Sequence, residues 1–263
     1  MQCTASRQLY VEVVVADLLR TSNPTLSGNV FRSEGVAYGD SMTISGTVNK
    51  TGILTICVVA AAAWTWNRAF NVGLESVMPL VAIGAIGGLI FAVVTVFKKT
   101  WAPVTAPIYA LLEGLVLGGI SAMYETRFAG LPMQAVGLTF GTLVALLLVY
   151  RSGLIRVTDR FRMGVVAATG GIFVFYLLTW ILGFFGVRFP SVYGSSPLSI
   201  GISAVIVIVA ALNLVLDFDF IETGARAGAP KYMEWYGAFG LMVTLIWLYL
   251  EILRLLAKLR SRD

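Results

Sequence analysis

Long apolar stretches, separated by short polar connections, fill most of the chain after residue 50. Each stretch approaches the length of about 20 residues that a helix needs to cross the hydrocarbon core of a bilayer. The pattern therefore predicts an all-α integral membrane protein, built as a bundle of seven transmembrane helices. The predicted spans are 51–66, 77–97, 104–123, 131–150, 164–186, 197–216 and 235–253.

The N-terminal region has a different pattern. Residues 1–48 are rich in Ser, Thr, Gly and Asn and show no sustained hydrophobic period, which is typical of a disordered tail. We therefore expect a disordered cytoplasmic tail at 1–48, a seven-span membrane domain at 49–258 and a basic C-terminal tail at 259–263. The stretch at 10–19 is not a signal peptide, because Glu12 and Asp17 interrupt its apolar run.

Composition agrees with a membrane protein and limits the chemistry. Apolar residues make up 58% of the chain and charged residues 13%, and the mean hydropathy is +0.85. A soluble domain is typically about one quarter charged. The chain has no histidine, which excludes serine–histidine and cysteine–histidine catalysis and the HExxH zinc site. We expect no enzymatic activity, no cofactor and no firmly bound metal.

The positions of the basic residues predict the orientation. Lysines and arginines concentrate before the first span and in the second, fourth and sixth connections, which the positive-inside rule places in the cytoplasm. Seven spans then put the C-terminus outside, although residues 254–262 are also basic, so one re-entrant segment is the alternative. The net charge of +5 fits contact with anionic lipid headgroups, and we expect no nucleic acid partner.

Two pairs of glycines have a spacing that favours close helix packing. Gly114 and Gly118 lie four residues apart, as do Gly137 and Gly141. Small residues at this spacing allow the backbones of two transmembrane helices to approach each other. We therefore predict that all four glycines are helix contacts.

Three acids follow one another where the sixth apolar stretch ends. If the helix continues past Leu216, Asp217 and Asp219 lie about 200° apart around its axis, so only one of them can face the core. We expect Asp217 to point inward, with Asp219 and Glu222 at the interface. In the alternative, all three face water where the helix leaves the membrane. The spacing does not fit a calcium-binding EF-hand loop.

Two further acids lie inside predicted spans. A charge at the centre of a bilayer costs about 2.5–3.5 kcal/mol, and such residues usually face the interior of the bundle or a water-filled path. Glu113 has no other charged residue within ten positions on its own helix, so its partner must come from another span. Glu251 has a simpler explanation, because Arg254 is close enough for a local ion pair.

Three segments together resemble the Bax inhibitor-1 family of multi-span membrane proteins, in its bacterial branch. These segments are "APIYALLEGLVLGGISAMYE" at 106–125, "LDFDFI" at 216–221 and "GAFGLMVTLIWLYLEILRLL" at 237–256. The resemblance covers about residues 40–258. It implies a bundle in which six helices surround a central seventh helix, located in the bacterial inner membrane.

The resemblance also implies a function. Bacterial members of the family are linked to a pH-sensitive calcium leak, in which an aspartate of the sixth helix pairs with one of the seventh, and deprotonation opens the path. Asp217 matches the sixth-helix aspartate. One alignment of the seventh helix places Thr244 at the partner position, and another places Glu251 there.

Two functional hypotheses remain from the sequence. The first is a calcium leak channel, with Asp217 and either Glu251 or Thr244 as pH sensor and gate, and with Glu113, Asp219 and Glu222 as acids of the pore or its mouth. In this hypothesis calcium is the transported ion. The second is a membrane protein that does not conduct ions but regulates partners such as membrane proteases. In both cases the lipid bilayer is the surrounding partner.

Overall fold

The computed structural model describes residues 41–185, Gly194 and 196–262. Within these ranges the chain forms seven α-helices and no strand, apart from one isolated bridge between Ser41 and Pro230. The helices are α1 (Ile44–Val72), α2 (Met78–Phe97), α3 (Ala102–Arg127), α4 (Leu131–Arg151), α5 (Asp159–Phe184), α6 (Pro197–Arg226) and α7 (Met233–Arg260).

Local sequence explains where several helices begin. The side chain of Thr43 caps α1 by accepting a hydrogen bond from the backbone N–H of Gly46 at 2.9 Å. Thr158 caps α5 in the same way through the N–H of Phe161. Hydroxyl side chains at this position satisfy N–H groups that have no partner within the helix. Gly130 precedes α4 with a φ of 77°, a left-handed conformation that favours glycine.

The predicted boundary of the N-terminal tail was wrong. The α1 helix begins at Ile44, and Met42 is buried with 2% of its surface exposed. The N–H of Met42 donates to the carbonyl of Ala229 at 2.6 Å. Residues 41–48 therefore belong to the folded domain. The sequence did not predict this, because a hydroxyl cap and a buried methionine produce no hydrophobic periodicity. Residues 1–40 lie outside the described part.

All seven described helices are long and apolar enough to cross a membrane, so the expected number of spans is confirmed. The shortest, α2, has 20 residues, and a re-entrant segment is not needed to account for any of them. The α7 helix is the most buried, with 67% of its most apolar window inside the protein, compared with 11% for α4 and α5. This burial agrees with the central position expected for the seventh helix.

The chain forms two compact units. The first consists of the described residues up to Ala122 together with Leu216–Met242, and the second consists of Met123–Val215 and the chain from Val243 onward. In the first unit, glycines bring three helices together. A Cβ atom on Gly114 or Gly118 of α3 would overlap the α1 backbone at Val58 or Ala62. The predicted close packing is therefore present at these two glycines.

A second glycine contact in the first unit was not predicted. Gly84 and Gly88 of α2 have the same four-residue spacing and pack against α3, where a Cβ on Gly84 would lie 2.6 Å from the carbonyl oxygen of Leu112. The α3 helix therefore packs closely against α1 on one face and α2 on another. The signal was present in the sequence "GAIGG" and has the same physical basis.

The packing expected at Gly137 and Gly141 of α4 was wrong. Both are exposed, and a Cβ on either would have no neighbour within 4 Å among the described residues. The buried face of α4 instead carries Ala135 and Thr139, which lie about 200° from these glycines around the helix. A four-residue spacing identifies a shared face but does not tell whether that face meets another helix.

Candidate functional site

The α6 helix continues for ten residues past Leu216, which fixes the faces of its three acids. Asp217 is completely buried, at 0% exposed, whereas Asp219 and Glu222 are half-buried. Glu222 also forms an ion pair with Arg226 one turn later. The arrangement is the one that the helical geometry predicted, so the alternative in which all three acids face water is not supported.

Apolar side chains flank Asp217 in the sequence of α6. Leu214, Val215 and Leu216 before it and Phe218 after it are all buried. Asp217 has an interaction partner, although its Oδ2 atom makes no hydrogen bond to the described residues. Burying an oxygen acceptor in this way costs free energy, because the hydrogen bonds that it would make with water are lost.

Glu113 lies between α3 and α2. Its carboxylate packs against Gly88, since a Cβ on that glycine would lie 2.8 Å from Oε1. The side chain is half-buried and makes no hydrogen bond or ion pair with the described residues. The polar partner expected on another span is therefore absent from the part of the chain that the structure describes.

Glu251 belongs to a polar cluster in the second unit. It is 2% exposed and accepts hydrogen bonds from the Tyr176 hydroxyl at 3.0 and 3.2 Å. Arg254 Nη1 lies 3.2 Å from both carboxylate oxygens and also donates to the Tyr176 hydroxyl. The local ion pair with Arg254 that the spacing allowed is present. Thr244, the other candidate on α7, is 3% exposed and lies two turns earlier.

A further polar cluster was missed from the sequence. Glu234, in the first turn of α7, is 0% exposed and accepts from the backbone and side chain of Thr43 at 2.9 and 2.8 Å. It also pairs with Lys50 of α1 and, at 3.1 Å, with Lys231. A Cβ on Gly46 would overlap the carboxylate, which would have to shift to make room. In the sequence, only the three-residue spacing of Lys231 and Glu234 indicates part of this cluster.

The acids do not form a metal site among the described residues. No group of three or more His, Cys, Asp or Glu side chains within this part of the chain is arranged to hold a metal ion. Asp217 lies on a different face of α6 from Asp219 and Glu222, and Glu251 is bound by Tyr176 and Arg254. Each of these acids lies on a helix that is long and apolar enough to cross a membrane.

Comparison with known proteins agrees with this architecture. A family profile described as "Bax inhibitor 1 like" matches residues 23–261, which is nearly the whole chain. No curated protein and no solved structure matches the chain. The match includes all seven helices, the buried Asp217 and both polar clusters. With seven membrane-spanning helices and a match of this length, the chain belongs to the Bax inhibitor-1-like family of multi-pass membrane proteins.

Proposed function

We propose that this protein is a pH-sensitive calcium leak channel of the bacterial plasma membrane, with its N-terminus in the cytoplasm. The observation that carries the proposal is the complete burial of Asp217 within α6, a helix long and apolar enough to cross the membrane. Ionisable residues at such positions are costly and usually mark ion paths or proton-sensitive sites. In this proposal calcium is the cargo, and the protein is not an enzyme and needs no cofactor.

Each acid has a role in the proposed path. Asp217 is the group whose deprotonation opens the path, and half-buried Asp219 and Glu222 attract cations to the cytoplasmic mouth. Glu113 supplies a further carboxylate inside the bundle. Calcium prefers oxygen ligands, which these side chains provide.

The α7 partner of Asp217 is either Thr244 or Glu251. Glu251 accepts hydrogen bonds from Tyr176 and forms an ion pair with Arg254, which limits its freedom to change partners. A threonine does not titrate in the physiological range. The proposal therefore assigns the titration to Asp217 itself, and Thr244 would only adjust its environment.

A second candidate is a non-conducting regulator that binds membrane proteases. The exposed face of α4 favours the regulator, because Gly137 and Gly141 lie on it and a Cβ on either would meet no described residue within 4 Å. Small residues on an exposed transmembrane helix suit the close approach of a helix from another protein. This candidate predicts no ion flux from the purified chain.

Calcium entry into liposomes loaded with a calcium-sensitive dye separates the two candidates. We expect proteoliposomes to admit calcium faster than protein-free liposomes of the same composition, and the rate to change between pH 6 and pH 8. The leak hypothesis fails if calcium entry equals that of the protein-free control at every pH. The regulator would then be the better account.

A further inference from the structure

An apolar groove lies between α5 and α6 in the second unit. Its volume is about 740 Å³, and all of its lining residues are apolar, including Gly171, Ile172 and Phe175 of α5 and Gly201 and Val205 of α6. This volume is within the range of about 300–1,000 Å³ that is usual for ligand sites. The groove is open on one side, and it lies on helices that are long and apolar enough to cross a membrane.

The length of the groove fits a lipid chain. Along α6 it extends from Pro197, the first residue of the helix, to Val209, which at ~1.5 Å per residue is roughly 18 Å. Half of a hydrocarbon core of about 30 Å is roughly 15 Å, the depth of one leaflet. A single acyl chain that enters beside the start of α6 would therefore fill the groove from the interface to the middle of the membrane.

Two cations lie beside the groove. Lys258 Nζ donates to the Ser203 hydroxyl at 2.8 Å and to the carbonyl of Ser199 at 3.4 Å, and these serines alternate along α6 with the lining residues Leu198 and Ile202. Arg254 lies over the ring of Tyr176, with Cζ 5.1 Å from the ring centroid. Tyr176 directly follows Phe175, which lines the groove. Both cations therefore lie beside residues that adjoin the groove.

The cluster retains positive charge and unused donors. Glu251 balances the charge of Arg254 in an ion pair, and Lys258, one turn later on α7, adds a second basic side chain. The side chain of Arg254 is 37% exposed, and all its hydrogen bonds to described residues come from Nη1. Its Nε and Nη2 donors can thus form the paired contact that guanidinium groups make with phosphate.

We infer that this groove is a binding site for one anionic phospholipid. An acyl chain lies between α5 and α6 along Gly171, Gly201 and Val205, and the phosphate contacts Arg254 close to Lys258. The inference also accounts for the basic end of α7, which conflicts with the positive-inside rule if all seven helices span the membrane. Arg254 and Lys258 are held by residues of the second unit, and in this inference they bind the lipid headgroup.

Native mass spectrometry of the full chain in detergent tests the inference, with dioleoylphosphatidylglycerol and dioleoylphosphatidylcholine offered separately at equal concentrations. We expect one phosphatidylglycerol to be retained, with occupancy about tenfold above that of phosphatidylcholine, because a charge-assisted phosphate contact adds affinity. Gly201→Phe should abolish retention of both lipids, since its ring would fill the groove. Arg254→Gln should reduce phosphatidylglycerol to the level of phosphatidylcholine.

Gly137→Phe is the matched control. Gly137 and Gly201 are both exposed glycines in membrane-spanning helices, and a Cβ on either meets nothing within 4 Å among the described residues. The control should retain phosphatidylglycerol as the unchanged protein does. The inference is overturned if the two lipids are retained equally or if Gly201→Phe binds lipid as the unchanged protein does. It is also overturned if free glycerol phosphate displaces the lipid, or if the protein forms a dimer that Gly201→Phe abolishes.

Discussion

At the scale of single residues, the Glu234 carboxylate is held by several side chains at once. It is fully buried, accepts two hydrogen bonds from Thr43 and pairs with Lys50 and Lys231. These contacts connect the beginning of α1 to the beginning of α7. Because Gly46 leaves room for the carboxylate, the cluster depends on backbone shape as well as on charge.

Replacing Glu234 by Ala should lower the free energy of unfolding by about 3 kcal/mol, because it leaves the ammonium group of Lys50 partly buried without its carboxylate. Thermal unfolding in detergent should show a clear decrease in Tm. Arg226→Ala is the comparison, since the Arg226 side chain is 73% exposed and its ion pair with Glu222 should contribute only about 0–1 kcal/mol. Equal decreases for the two variants would contradict the structural role of the Glu234 cluster.

At the scale of helices, glycine spacing has two different outcomes. Gly114 and Gly118 of α3 lie against the α1 backbone, whereas Gly137 and Gly141 of α4 are exposed. The sequence contains the same pattern in both helices. Only the neighbouring helix decides whether a side chain at that position would collide with another backbone.

This difference predicts opposite effects of the same substitution. Gly118→Leu would place side-chain atoms where the Ala62 carbonyl lies, and overpacking of this kind typically costs about 1–3 kcal/mol. Gly137→Leu adds the same atoms in open space and should leave Tm in detergent unchanged. If the two variants have the same Tm, the glycine contact between α3 and α1 does not determine stability.

At the scale of the whole molecule, hydropathy alone predicted the seven helices, because a bilayer imposes both their length and their apolar character. Hydropathy did not predict where the helices end: α6 continues to Arg226, and α1 begins seven residues before the predicted span. Helical geometry correctly placed Asp217 inside. The Glu234 cluster could not be predicted, since Thr43 and Glu234 are 191 residues apart and no periodicity connects them.

The chain has no histidine, so it lacks the side chain that ordinarily titrates between pH 5 and pH 8. The proposed leak assigns its pH response to carboxylates. Asp217 is the one that is completely buried within α6, and Asp219, two residues later, is half-buried on another face. This pair provides a sensor variant and a control variant on the same turn of one helix.

The most direct test is calcium entry into dye-loaded proteoliposomes from pH 6 to pH 8, measured for the unchanged chain, Asp217→Asn and Asp219→Asn. Because deprotonation opens the proposed path, entry by the unchanged chain should increase with pH. Asp217→Asn should remove most of this dependence, since an amide does not titrate. Asp219→Asn should lower entry modestly at every pH and keep the profile. If Asp217→Asn retains the pH profile of the unchanged chain, Asp217 is not the sensor and the proposed gating mechanism is wrong.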